Sequence, residues 1–105
     1  VQADPEWCGG VSELKKICTL SSIYDVPVIP HGHNLHAAAH VVASEPPTTC
    51  PWSEYLVLKM NSYYWFDKYE LRPAQGRLHL GERAGFGMEI ERAKVEKEKK
   101  VTWTA

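Results

Sequence analysis

The sequence holds no apolar run near the roughly 18 residues that a membrane span requires. Its opening, VQADPEW, has neither the basic flank nor the apolar centre of a signal peptide. No charge of one sign dominates: 12 Lys and Arg stand against 13 Asp and Glu, for a net charge of −1. That balance excludes a broad attraction to nucleic acid or to an anionic membrane. The most basic stretch, RAKVEKEKK at 92–100, is interleaved with glutamates and is expected to be a solvated surface. There is no Cys-x-x-Cys pair and no His-Glu-x-x-His segment, and the three cysteines, Cys8, Cys18 and Cys50, are odd in number and widely spaced. Neither a disulfide framework nor a thiolate metal site fits that set; buried thiols in a reducing compartment do, which predicts a cytoplasmic protein. Internal repeats and low-complexity linkers are absent, and 105 residues suit one small domain by length alone.

What is present has a clear order. Gly9 and Gly10 turn the chain, Ser12 is a candidate N-cap, and Leu14, Ile17, Cys18 and Leu20 to Ile23 recur at helical spacing. These predict an amphipathic helix over about 12–23. VPVI at 26–29 then reads as a short, wholly apolar strand of the kind found in parallel sheets. NLHAAAHVVASE is a second helix, with Leu35, Ala38, Ala39 and Val42 on its apolar stripe, ended by PPTTCP. WSEYLVLKM at 52–60 is again strand-like. The chain therefore reads (β)αβαβ to about residue 58, an α/β pattern. Beyond it, NSYYWFDKYELRPAQG is aromatic and irregular, RLHL is a short strand, and GERAGFGMEIE is a glycine-rich cover loop leading to another.

Asp4, His31 and Glu54 fall at three successive strand ends, and in a barrel of alternating strands and helices such ends line one face. His31, after a buried strand and before Gly32, has the chemistry of a general base, because imidazole titrates near neutrality. Asp4 is placed to orient such a ring, as a carboxylate does in a His–Asp pair. Glu54, between apolar neighbours, calls for a partner. His33, His36 and His40 sit at i, i+3 and i+7, so a three-histidine metal site is conceivable. No accompanying signature supports it, and a polar helix face, with His33 near a substrate and His36 and His40 on the surface, is the better reading. The aromatic tract at 63–66 lacks a basic groove and reads as core or subunit contact.

Taken together, WCGGVSELKKI, YDVPVIPHG, SEYL, GRLHL and GFGMEI resemble the C-terminal segment of the enolase superfamily, in its mandelate racemase and muconate lactonising branch. Within that branch the chain is most similar to acid-sugar dehydratases of the L-rhamnonate dehydratase type. The similarity runs from residue 1 to about 91, and Asp4 and His31, 27 positions apart, match that subgroup's spacing. Two positions depart from the pattern: His33 stands where serine is usual, and Ala84 where the glycine-rich loop normally has proline.

The resemblance implies the last part of a (β/α)7β TIM-type barrel, strands 6 to 8, over 1–60, and a tail over 61–105 that returns to a capping domain. It implies Mg2+-dependent dehydration of a sugar acid to a 2-keto-3-deoxy acid. His31, oriented by Asp4, would take the proton beside the substrate carboxylate and then help the β-hydroxyl leave. Glu54 would assist the enolate, and His33 would touch substrate. The family's Mg2+ carboxylates, barrel strands 1 to 5 and most of the capping domain lie outside these residues, so the chain is expected to be inactive alone, as part of a larger, nicked or split homo-oligomeric enzyme. Racemisation or epimerisation on the same scaffold, and a non-catalytic piece that needs a partner chain, stay open as alternatives.

Overall fold

Gly9 and Gly10 adopt φ of 105° and 96°, a region that L side chains rarely enter, and they reverse the chain out of a turn built on Asp4 and Pro5. The computed structural model describes residues 1–102, apart from the side chains of Asn34 and Asn61. Helix α1, Val11–Ile23, starts directly from this reversal with Gly10 in the N-cap position. Ser12, the expected cap, lies inside the helix, because the glycine pair has already set the entry angle. The helix ends on Asp25 at φ 53°, with Val26 N–H donating to Ser21 O at 3.0 Å and Asp25 N–H to Ser22 O at 3.3 Å. That is a Schellman ending with aspartate in the place usually taken by glycine.

Leu14, Cys18 and Ser21 form the buried stripe of α1, whereas Leu20 and Ile23, expected on the apolar face, are 59 % and 70 % exposed. A tight turn at Gly32–Asn34 leads into α2, Leu35–Ser44, which buries Leu35, His36, three alanines and Val41. The alanines let the helix sit close to the rest of the chain. Lys15 of α1 ties the two helices by pairing with Glu45 and donating to Ser44 Oγ at 3.3 Å. Leu14, Cys18, Val28, Val41 and Cys50 form one core cluster. Each fully buried leucine or valine there stabilises the fold by roughly 1.5–3 kcal/mol.

Between the helices the chain is extended, yet no run among the described residues forms a continuous strand ladder, in contrast to the strands expected at 26–29, 52–60 and 77–80. The contacts that do form keep a parallel register. Val1 N donates to Pro27 O at 2.7 Å, Ile29 N to Val1 O at 2.8 Å, and His31 N to Ala3 O at 3.2 Å. On the opposite side Val28 N donates to Thr49 O at 2.8 Å. The next donor on that side would be residue 30, a proline without an N–H, so the ladder stops. The stretch read as a strand over 52–60 runs extended only to about 56, then turns into a one-turn helix α3, Met60–Tyr63.

Beyond α3, single antiparallel bridges join Asp67 to Ile90 and Ala74 to Arg77, and a short helical turn spans Arg92–Lys94. The loop 81–87 lies over α2, with the Phe86 ring edge-on to His40 at 5.5 Å. The last three positions of the tail expected over 61–105 lie outside the described residues. The body is flattened, with a radius of gyration of 15.3 Å; a compact domain of this length would have about 13 Å. No helix among the described residues is long and apolar enough to cross a membrane.

Candidate functional site

Three backbone segments converge on His31. Asp4 sits where the first extended segment enters its turn, held by Glu6 N–H donating to Asp4 Oδ1 at 2.8 Å. His31 follows Pro30 at the end of the second segment, with φ −63° and ψ 135°, just before the Gly32–Asn34 turn. Glu54 comes from the third segment, where its Oε2 accepts Gly32 N–H at 2.7 Å. Gln2 Nε2 reaches Glu54 Oε1 at 3.5 Å.

The structure brings together all four residues singled out in the sequence. His31 Nδ1 lies 3.5 Å from Glu54 Oε2 and 3.8 Å from Asp4 Oδ2. His33 Nδ1 lies 3.9 Å from the same Asp4 oxygen, and the two imidazoles meet edge to face at 4.6 Å. These separations lie within ion-pair range for a protonated imidazole and are longer than aligned hydrogen bonds. Asp4 is nearly buried, with 9 % of its side chain exposed, while the His31 ring is 38 % exposed. His31 Nδ1 itself is shielded from solvent and has no hydrogen-bond partner. The ring therefore aims one nitrogen at the two carboxylates and offers its other edge outward.

Packing fixes the surroundings. A Cβ on Gly32 would stand 2.8 Å from the Glu54 carbonyl oxygen, so only glycine fits between the second and third segments. Tyr64 Oη donates to His33 O at 2.9 Å and Tyr63 covers the His33 ring at 5.2 Å, so the aromatic tract holds the turn that carries His33. Burial pushes the Tyr64 hydroxyl up to about 12, which keeps it protonated as that donor.

His36 is not on the helix surface, contrary to expectation. It is buried, with Nε2 3.2 Å from Asp67 Oδ2 and its ring edge against Tyr64 at 4.6 Å. Burial lowers its pKa, and the Asp67 charge opposes that only in part. The irregular 61–76 segment supplies the cover, and no periodicity in it foretold Asp67 as a partner. His40 is half-buried, with Nδ1 2.7 Å from His36 O. A groove of about 510 Å3, lined by Ala39, Val42, Trp52, Tyr55 and Leu80 among others, contains none of the four candidate residues. Its lining is mostly apolar, with Arg77 at its edge, and it lacks the titratable cluster gathered around His31.

His31 thus lies between two carboxylates at the ends of extended segments that alternate with helices, the order found in barrels of alternating strands and helices. The family model described as enolase C-terminal domain-like matches residues 1–94, and the chain belongs to that family. Membership makes it a partial TIM-barrel segment. The chain is 34 % identical over 98 residues to an L-rhamnonate dehydratase of Saccharopolyspora erythraea, covering 86 % of this chain and 24 % of that protein. It is 30 % identical over 98 residues to a protein of Caldivirga maquilingensis provisionally named for the same activity, covering 88 % of this chain and 24 % of the relative. The chain thus spans about a quarter of the length of the curated relatives it matches. No solved structure matches it.

Proposed function

We propose that this chain supplies the proton-transfer residues of an acid-sugar dehydratase, which converts an aldonate to a 2-keto-3-deoxy acid. The observation that supports this most is the placement of His31 Nδ1 between Asp4 and Glu54, at 3.8 and 3.5 Å. With the Nδ1 proton facing the carboxylates, Nε2 is the free base on the open edge of the ring. It takes the proton from the carbon beside the substrate carboxylate, leaving an enolate. The same imidazolium then gives that proton to the β-hydroxyl, which departs as water, and the resulting enol tautomerises to the 2-keto acid. Asp4 and Glu54 stabilise the charged ring between the two steps, and His33 touches the sugar chain.

Mg2+ takes near-octahedral oxygen ligands. The Asp4, His31 and His33 donors do not fit it, and no step above passes through the ion. The Mg2+ expected of the superfamily belongs with carboxylates outside this chain. Barrel strands 1 to 5 and a capping domain are the remaining parts of the enzyme in this reading, with residues 61–105 as the tail that returns to the cap. Exposed Trp7, Leu20 and Ile23 are the apolar surface that those parts would cover. Self-association into a homo-oligomer and a cytoplasmic location complete the proposal.

The test is a panel of sugar acids given to the intact protein, with detection of 2-keto-3-deoxy products. Product from at least one aldonate is expected. Epimerised substrate without a keto acid would move the chain to the racemase branch, and unchanged substrate throughout would overturn the reading.

A further inference from the structure

The same corner has a second property, set by its donor atoms. His31 Nδ1, His33 and Asp4 each turn one ligand atom into a common space, and the three atoms lie within 4.8 Å of one another. Asp4 Oδ1 is already engaged by Glu6 N–H, which fixes the carboxylate and leaves Oδ2 facing both rings at 3.8 and 3.9 Å. In a tetrahedral zinc site neighbouring ligand atoms stand about 3.4 Å apart, so closure brings each imidazole about 0.5 Å nearer to Asp4 and the two imidazole nitrogens up to about 1.4 Å nearer to each other, movements that side-chain rotation supplies. His31 Nδ1 is shielded and has no partner of its own.

Charge points the same way. Among the described residues the ion-pair contacts of Asp4 and Glu54 are with His31 and His33, and none is with a lysine or arginine. When the imidazoles are neutral, two carboxylates share the corner without a cation. Two imidazoles and one carboxylate suit borderline-soft divalent ions, for which Mg2+ is a poor competitor.

We propose that Asp4, His31 and His33 form a binding site for one zinc-type divalent cation. Binding places the metal on His31 Nδ1 and leaves the ring proton on Nε2, so a loaded ring cannot accept a proton. Such a cation therefore excludes the base function proposed for His31. Metal binding itself does not depend on that function, and it is read without substrate or turnover.

The experiment titrates the intact protein with Co2+ and then Zn2+, with Mg2+ in excess to fill oxygen-rich sites. One equivalent of Co2+ is expected to give visible ligand-field bands of a low-coordinate site, which Zn2+ abolishes. His33→Ala and His31→Asn are each expected to weaken Zn2+ binding more than tenfold, and His79→Ala, at an exposed histidine, to leave it unchanged. If His33→Ala alters the far-UV circular dichroism, His33→Gln takes its place. The absence of bands, or Zn2+ affinity unchanged in both the His31 and His33 variants, would overturn the site. Equal loss in His79→Ala would overturn it too.

Discussion

Gly32 donates its backbone N–H to Glu54 Oε2 at 2.7 Å, and a Cβ at the same residue would meet the Glu54 carbonyl oxygen at 2.8 Å. One glycine thus sets both the spacing of two extended segments and the place of the carboxylate beside His31. Gly32→Ala forces backbone against backbone, which no rotamer change relieves. A loss of about 1–3 kcal/mol is expected from the overpacking. Thermal unfolding of the intact protein checks this, and a melting temperature equal to the parent's would sink it.

His36 and Asp67 give the fold a pH dependence. Burial lowers the His36 pKa; Asp67 raises it and His40 and Arg83 lower it further, with a net depression below the usual 6.5. Between the depressed value and 6.5 the unfolded chain holds more protons than the folded one. Stability therefore rises with pH across that window and levels off above it, by at most about 1.4 kcal/mol per pH unit for one group. Denaturant midpoints measured from pH 4.5 to 7.5 should show this slope in the parent and a smaller one in His36→Gln. Identical slopes would remove His36 as the cause.

The cysteines differ in reach. Cys18 and Cys50 are buried with their sulfurs 3.7 Å apart, a contact between free thiols, while Cys8 is only half-buried. Burial raises both inner thiols, Cys50 to about 12, and the neighbouring sulfur adds to that at Cys50. Since thiolate is the reactive form, an aromatic disulfide reagent at pH 8 should label Cys8 rapidly. Cys18 and Cys50 should react only on unfolding. Three equally fast thiols would contradict the packing described above.

Much of this was legible in the residues. Leu14 and Cys18 in α1, and Leu35, Ala38 and Ala39 in α2, mark both helices by period alone, and the order of segments is enough to bring Asp4, His31 and Glu54 to one corner. The departures have local causes. Gly10 rather than Ser12 begins α1, because a positive-φ pair had already turned the chain. The 52–60 run looked like a strand by its apolar residues, yet α3 begins at Met60, since apolar runs of that length do not distinguish the two forms. His36 looked like a surface residue because its cover, Tyr64 and Asp67, comes from a segment about 30 positions away with no periodic pattern. Contacts of that range leave no trace in local sequence.

His31 carries the central claim, and replacing it with asparagine keeps a polar side chain while removing the base. The decisive measurement is exchange of the substrate's α-proton in deuterium oxide, followed by NMR on the intact protein with an aldonate that the parent converts. The parent should exchange or dehydrate, and His31→Asn should lose the activity by about 10²- to 10⁴-fold, the range a general acid–base group supplies. Exchange at the parent's rate in His31→Asn would contradict the role given to His31.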